Sequence, residues 1–208
     1  MTIASDVFEK MPFKPYLAAR DDVRNGDILL CSGTEPFSEL IQTATSSLWS
    51  HVGFIWRLQE IDRILVLESV ENAGVRAIAL SAKLNGAQGV RNPYKGRMMI
   101  ARHRKFAELV TTEKFTDMTR FAVDRFGCPY SPFEVAKIGA RIAMGLIKQP
   151  MAGHLEPTHD FICSEYAAAC YGAIGIKIAW NGDGFIAPAD FARDPDVEAV
   201  TPIAPDAV

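Results

Sequence analysis

Three residues in this chain are of the types that make a thiol nucleophilic. His51 sits in the apolar run Ser50-His51-Val52-Gly53-Phe54, Glu68 follows seventeen residues on, and Cys163 comes much later. A cysteine attacks as its thiolate, so it needs a base, and the base needs a partner that orients it. Histidine and a carboxylate fill those roles: the carboxylate takes the proton of one ring nitrogen and leaves the other free as base. The chemistry expected is acyl transfer through a thioester. Ser69 and Glu71 are alternative partners for His51, Cys128 is a rival nucleophile, and His154 and His159 are rival bases. His154, His159 and Cys163 match no zinc-ligand spacing. No Cys-x-x-Cys pair occurs among Cys31, Cys128, Cys163 and Cys170, so no metal and no other cofactor is expected.

These side chains must be held by local structure. Residues 158–166 read as a helix entry, with Asp160 as N-cap and Phe161, Ile162 and Cys163 in the first turn. Unpaired amides and the positive helix end favour a thiolate there, and the Cys163 amide is placed to donate to an oxyanion. Cys170, among alanines, and Cys31, ending an apolar strand, read as packing residues. Residues 52–56 and 64–69 read as strands joined by a polar turn containing Gln59, Glu60, Asp62 and Arg63. Setting His51 opposite Glu68 pairs Gly53 with Val66 and Ile55 with Ile64. The imidazole and carboxylate then share a face, with Gly53 leaving room beside the ring. An odd shift of register would separate them.

The remaining elements read as a strand at 28–31, a helix at 37–45, strands at 75–80 and 97–102, and a loop at 86–96. Helices follow at 106–126, 133–147 and 161–171, with a loop at 149–160. This is an α+β pattern, antiparallel strands flanked by helices. Helix 133–147 is apolar nearly all round, interrupted by Lys137 and Arg141. It reads as half-buried with basic residues reaching outward, or as an acyl-binding lid or membrane-surface contact.

A chain of 208 residues fits one domain, and 49% hydrophobic with 23% charged residues is an ordinary globular composition. A net charge of −3 offers no polybasic surface for nucleic acid. The first 22 residues hold no long apolar stretch, so neither a signal peptide nor stable membrane insertion is expected. A cytoplasmic location with four free thiols is. No residue pattern specifies an oligomeric state.

Four short motifs, Gly26-Asp27-Ile28-Leu29, Ser50-His51-Val52-Gly53, Gly127-Cys128-Pro129-Tyr130 and Cys163-Ser164-Glu165, occur in an order and spacing that resembles the NlpC-type amidase and peptidase superfamily. The branch it resembles is the circularly permuted, YiiX-like form of the papain fold, in which histidine precedes cysteine. Ala187-Pro188-Ala189-Asp190 resembles a further recurrent piece near the end of such proteins. The resemblance implies a small antiparallel barrel-like sheet packed on helices, with Cys163 as nucleophile, His51 as base and Glu68 as third polar member. Tyr130 matches a tyrosine near the active site, where it binds substrate or supports the oxyanion; its alternative role is turn packing. The implied activity is hydrolysis of an amide in a cell-wall-type peptide or acylated amino acid. The alternatives are a lipid or thioester acyltransferase using the same cysteine, with a lipid-like partner, and a non-catalytic binding domain. Residues 1–25 stand outside the motifs as an N-terminal extension, and 131–160 as a helical insertion and loop.

Overall fold

Apolar residues in an unbroken run, such as Ile28-Leu29-Leu30-Cys31, suit a strand covered on both faces, because alternate side chains point to opposite sides. The computed structural model describes residues 3, 5–86, 94–130, 161–179 and 186–206. In it that run lies mid-sheet, in a strand whose seven residues are all buried. The strands are β1 (Lys14–Pro15), β2 (Asp27–Gly33), β3 (His51–Leu58), β4 (Arg63–Val70), β5 (Gly74–Ala79), β6 (Gly96–His103) and β7 (Val197–Ala204). They form one sheet in the order β1-β7-β6-β2-β3-β4-β5. Among the described residues only the β1–β7 pair is parallel. The helices are α1 (Ser5–Lys10), α2 (Tyr16–Ala19), α3 (Pro36–Thr45), α4 (Leu80–Asn85), α5 (Lys105–Leu109), α6 (Thr112–Val123), α7 (Cys163–Gly172) and α8 (Pro188–Arg193).

The α+β composition stands, but the barrel-like sheet does not: the sheet is open, with β1 and β5 at its edges. Closing it would require β5 to bond β1, and β1 is a two-residue strand that pairs with β7. Ile28, Leu30, Phe54 and Leu67 face a core that includes Tyr166, Tyr171 and Phe191. Leu29, Cys31, Ile55 and Val66 face a second core with Tyr16, Ala19, Leu80 and Leu84. Residues 1–25 are therefore more than an extension. Ile3, Phe8, Tyr16, Ala19 and Val23 are buried, and the Ile3 carbonyl accepts the Trp49 indole N–H at 2.9 Å.

Several expected boundaries shift. Helix 106–126 is interrupted at Val110 and Thr111, where the Thr111 hydroxyl caps a new helix by accepting the Lys114 amide at 3.2 Å. Leu80 opens α4 rather than ending β5. Helix 161–171 begins at Cys163, with Ile162 at the cap position and the Glu165 carboxylate accepting the Ile162 amide at 3.2 Å. The cap expected at Asp160 is thus replaced, and Asp160 itself lies outside the described residues. So do helix 133–147, His154, His159 and the rest of 131–160.

The β3–β4 register also differs. Ile55 pairs with Val66 and Phe54 with Leu67, a slip of two from the arrangement that sets His51 opposite Glu68. The cause is the turn. A short 3-10 segment at Gln59–Ile61 and a left-handed Asp62, φ 50°, let the strands run on to Leu58 and Arg63. Because the slip is even, every side chain keeps its face.

Candidate active site

His51 opens β3 and Cys163 opens α7, so each reactive side chain stands at the end of a regular element. Several contacts bring the two ends together. Helix α7 packs across β3 and β4. Buried Ser69 of β4 donates its hydroxyl to the Phe161 carbonyl at 2.6 Å, two residues before the cysteine. The Phe161 amide reaches Pro129 O at 3.3 Å, and Val75 of β5 bonds Cys128 O at 2.9 Å. Ser69, an alternative orienting partner in the sequence, is thus occupied in seating the helix start, while Glu71 is exposed.

Glu68 orients the histidine. The slip of two leaves it diagonal to His51 rather than opposite, and its longer side chain closes that gap: His51 Nε2 and Glu68 Oε2 are 2.8 Å apart. Gly53 is needed here for a reason other than space beside the ring. A Cβ on it would stand 2.4 Å from Val66 Cγ1 and 3.6 Å from Glu68 Cβ, displacing the strand that carries the carboxylate. With Nε2 engaged, Nδ1 is the ring nitrogen left for Cys163, to which the imidazole hydrogen-bonds. The amides of Val52 and Ser164 also favour the charged sulfur.

Glu68 is fully buried and carries three cationic partners. Lys83 Nζ of α4 donates to Oε2 at 2.7 Å, the oxygen that also holds His51. Arg76 of β5 donates to Oε1 from Nε at 3.1 Å and Nη2 at 2.8 Å. Burial alone would raise the carboxyl pKa, but His51 and Lys83 hold it well below its ordinary range. For Cys163 burial likewise opposes ionisation. The His51 charge and hydrogen bond, with the two backbone amides, outweigh it and lower the thiol pKa. Burial would lower His51, yet the thiolate and Glu68 raise it to about 9. Both shifts favour the charged thiolate–imidazolium form of the pair over the neutral one. By contrast, burial pushes Cys31 and Cys170 up to about 12, which keeps them as inert packing thiols.

Tyr130 packs against the small apolar cluster of Ala187, Ala189 and Ile162, the last next in sequence to Cys163, and burial together with nearby Cys163, Glu71 and Glu165 keeps its phenol protonated. The membership of Ala187 and Ala189 in that cluster gives the Ala187-Pro188-Ala189-Asp190 motif a packing role. In that motif Asp190 accepts the Ala187 amide at 2.8 Å to start α8. Gly26-Asp27 is structural too: buried Asp27 takes Arg102 Nε at 2.7 Å and Nη2 at 2.8 Å. The Gly26 carbonyl accepts the Tyr171 hydroxyl of α7 at 2.7 Å.

Sequence reasoning missed Lys83 and Arg76. Arg76 left a signal, an opposite charge directly across the β4–β5 hairpin from Glu68. Lys83 left none, because its position depends on α4 folding back over the sheet. There its ammonium lies 5.2 Å from the Tyr94 ring centre. Among the described residues one group of side chains clusters as metal ligands do, His103, Asp194 and Asp196, and it shares no member with this site.

No protein-family model matches the chain, and no curated protein matches it. Among solved structures, the fold is similar to the crystal structure of metalloprotein yiiX from Escherichia coli O157:H7. The TM-score is 0.61 at 16% identity, over 88% of this chain and 99% of that one. The YiiX-like relationship is therefore one of fold. Among the described residues no helix is long and apolar enough to cross a membrane.

Proposed function

We propose that this protein is a cysteine hydrolase of the NlpC-type amidase and peptidase kind, with a circularly permuted papain-like arrangement. Its substrate is an amide in a cell-wall-type peptide or an acylated amino acid. The observation that carries the reading is one imidazole shared between Glu68 Oε2, at 2.8 Å from Nε2, and the thiol at the start of α7. The Cys163 thiolate attacks the amide carbon, and the oxygen of the resulting tetrahedral species takes a hydrogen bond from the Cys163 amide at the helix start. The His51 imidazolium gives its proton to the departing amine, leaving a thioester on Cys163. Neutral His51 then removes a proton from water, which attacks the thioester and releases the acid and the thiol. Glu68 keeps the ring oriented throughout, and Tyr130 is the proposed substrate contact. The acyltransferase reading shares the first half of this sequence and differs in replacing water with another acceptor.

The test is site-resolved alkylation of Cys163 by iodoacetamide against pH, in wild type and His51→Ala, followed by a screen of peptide and N-acyl amino acid amides. Labelling well below the ordinary thiol pKa of about 8.5, lost in His51→Ala, is expected. Turnover absent in Cys163→Ala is expected with it. Labelling that follows an ordinary thiol in both proteins would leave a binding domain. An acyl-Cys163 adduct that resists water but passes to an added amine or alcohol would mark a transferase.

A further inference from the structure

We propose that His103, Asp194 and Asp196 form a site for one divalent transition-metal cation, separate from the Cys163 centre. His103 ends β6, where it pairs with Val197, and the two aspartates flank Pro195 in the tight turn between α8 and β7. One ligand atom from each lies within 4.8 Å of the other two. Metal–ligand bonds to imidazole and carboxylate are about 2.0–2.2 Å long, so donors on one ion stand no more than roughly 4.4 Å apart, and the three atoms would draw together on binding. The sequence offered no motif for the site, because the histidine and the aspartates lie some ninety residues apart.

A second observation is a buried ring nitrogen with no partner among the described residues. His103 is 2% exposed, and its Nδ1 has no hydrogen-bond partner among the described residues. Buried ring nitrogens are seldom left so, because the lost hydration goes unrepaid. Asp194 is 5% exposed and makes no ion pair among the described residues; the one hydrogen bond to its carboxylate there is from the Asp196 amide, 2.8 Å from Oδ1. Asp196 is more open, and the Lys105 ammonium binds its Oδ2, while Arg104 stands 4.0 Å from Oδ1. A bound cation would take one donor from the imidazole and one from the buried Asp194 carboxylate, with the second Asp196 oxygen as third.

One imidazole and two carboxylates without a thiolate select cations of the zinc, manganese and cobalt class, with open positions for water. The ion would tie the end of β6 to the α8–β7 turn. Because α8 carries Ala189 against Ile162, beside Cys163, the site would brace the helix start that holds the nucleophile.

The probe is cobalt(II), added to the full-length protein after chelator dialysis and followed by calorimetry, visible absorption and thermal denaturation. One ion per chain is expected, without a thiolate-to-cobalt charge-transfer band, equally in Cys163→Ala, and with a raised Tm. Asp196→Asn should weaken binding by about ten-fold or more. Its side chain is 30% exposed, so the variant keeps its fold; His103→Gln should act likewise. No saturable binding, a charge-transfer band that disappears in Cys163→Ala, or unchanged affinity in Asp196→Asn would each overturn the proposal. None of these readouts depends on amidase activity.

Discussion

Replacing Lys83 with methionine tests the charge arrangement around Glu68 while leaving His51 and Cys163 in place. The Lys83 ammonium lies 2.7 Å and His51 Nε2 2.8 Å from the same oxygen, Glu68 Oε2, so the two cationic groups are no more than 5.5 Å apart. At an effective dielectric constant of about 20, unit charges at that separation repel by about 3 kcal/mol, equivalent to about two pH units. Water at the 16% of the His51 side chain that is exposed weakens this. We therefore expect the His51 midpoint, about 9 in the native protein, to rise on loss of Lys83. The rise should be about one to two pH units. Arg76 remains on Oε1, so the carboxylate keeps a counter-charge, and the stability loss should be about 2 kcal/mol. The chain has four histidines, and the His51 ring resonance is identified by its absence in His51→Ala. Titrated by NMR, that ring should be half deprotonated near pH 9 in wild type and still protonated there in Lys83→Met. The imidazolium becomes a weaker acid, so cleavage of amides should slow more than cleavage of activated esters, whose leaving groups need no proton. A midpoint that stays within a few tenths of wild type, or falls, would refute the reasoning that Lys83 restrains the basicity of His51.

Two further outcomes follow from the same contacts. Gly53→Ala places a methyl 2.4 Å from Val66 Cγ1. It should cost about 1–3 kcal/mol, seen as a lower Tm, with slower Cys163 labelling as β4 is displaced; an unchanged Tm would contradict the close approach. Glu68 is held below its ordinary pKa of 4.5, so the stability it contributes is complete above that pH and is lost as pH falls through the folded-state value. Denaturant titrations between about pH 5 and pH 2 should show a steep decline in wild type and a flatter one, from a lower start, in Glu68→Gln. Parallel declines would remove Glu68 as a source of acid sensitivity.

What local pattern determined is visible in particular residues. The unbroken run Ile28-Leu29-Leu30-Cys31 specified a strand buried on both sides, because alternation has a period of two and both faces were apolar. The same period placed His51, Gly53 and Glu68 on one face for any even register, so their association survived a slip of two in the expected pairing. Residue chemistry alone marked Cys163 as a helix-start thiol, although its helix starts at the cysteine itself.

Only the tertiary structure decided the rest. Register followed from the 3-10 turn and left-handed Asp62 between β3 and β4, a local conformation that composition did not disclose. The open sheet followed from a two-residue edge strand pairing with β7, a contact between opposite ends of the chain. Lys83, Arg76 and Ser69 acquired their roles when α4, β5 and the start of α7 closed around Glu68 and Phe161. His103 met Asp194 and Asp196 only across the β6–β7 pairing. Side-chain alternation and helix-end dipoles act within a few residues, so a sequence displays them directly. Which distant segments share a charge or an oxygen atom is set by packing the whole core, and no short window of sequence contains it.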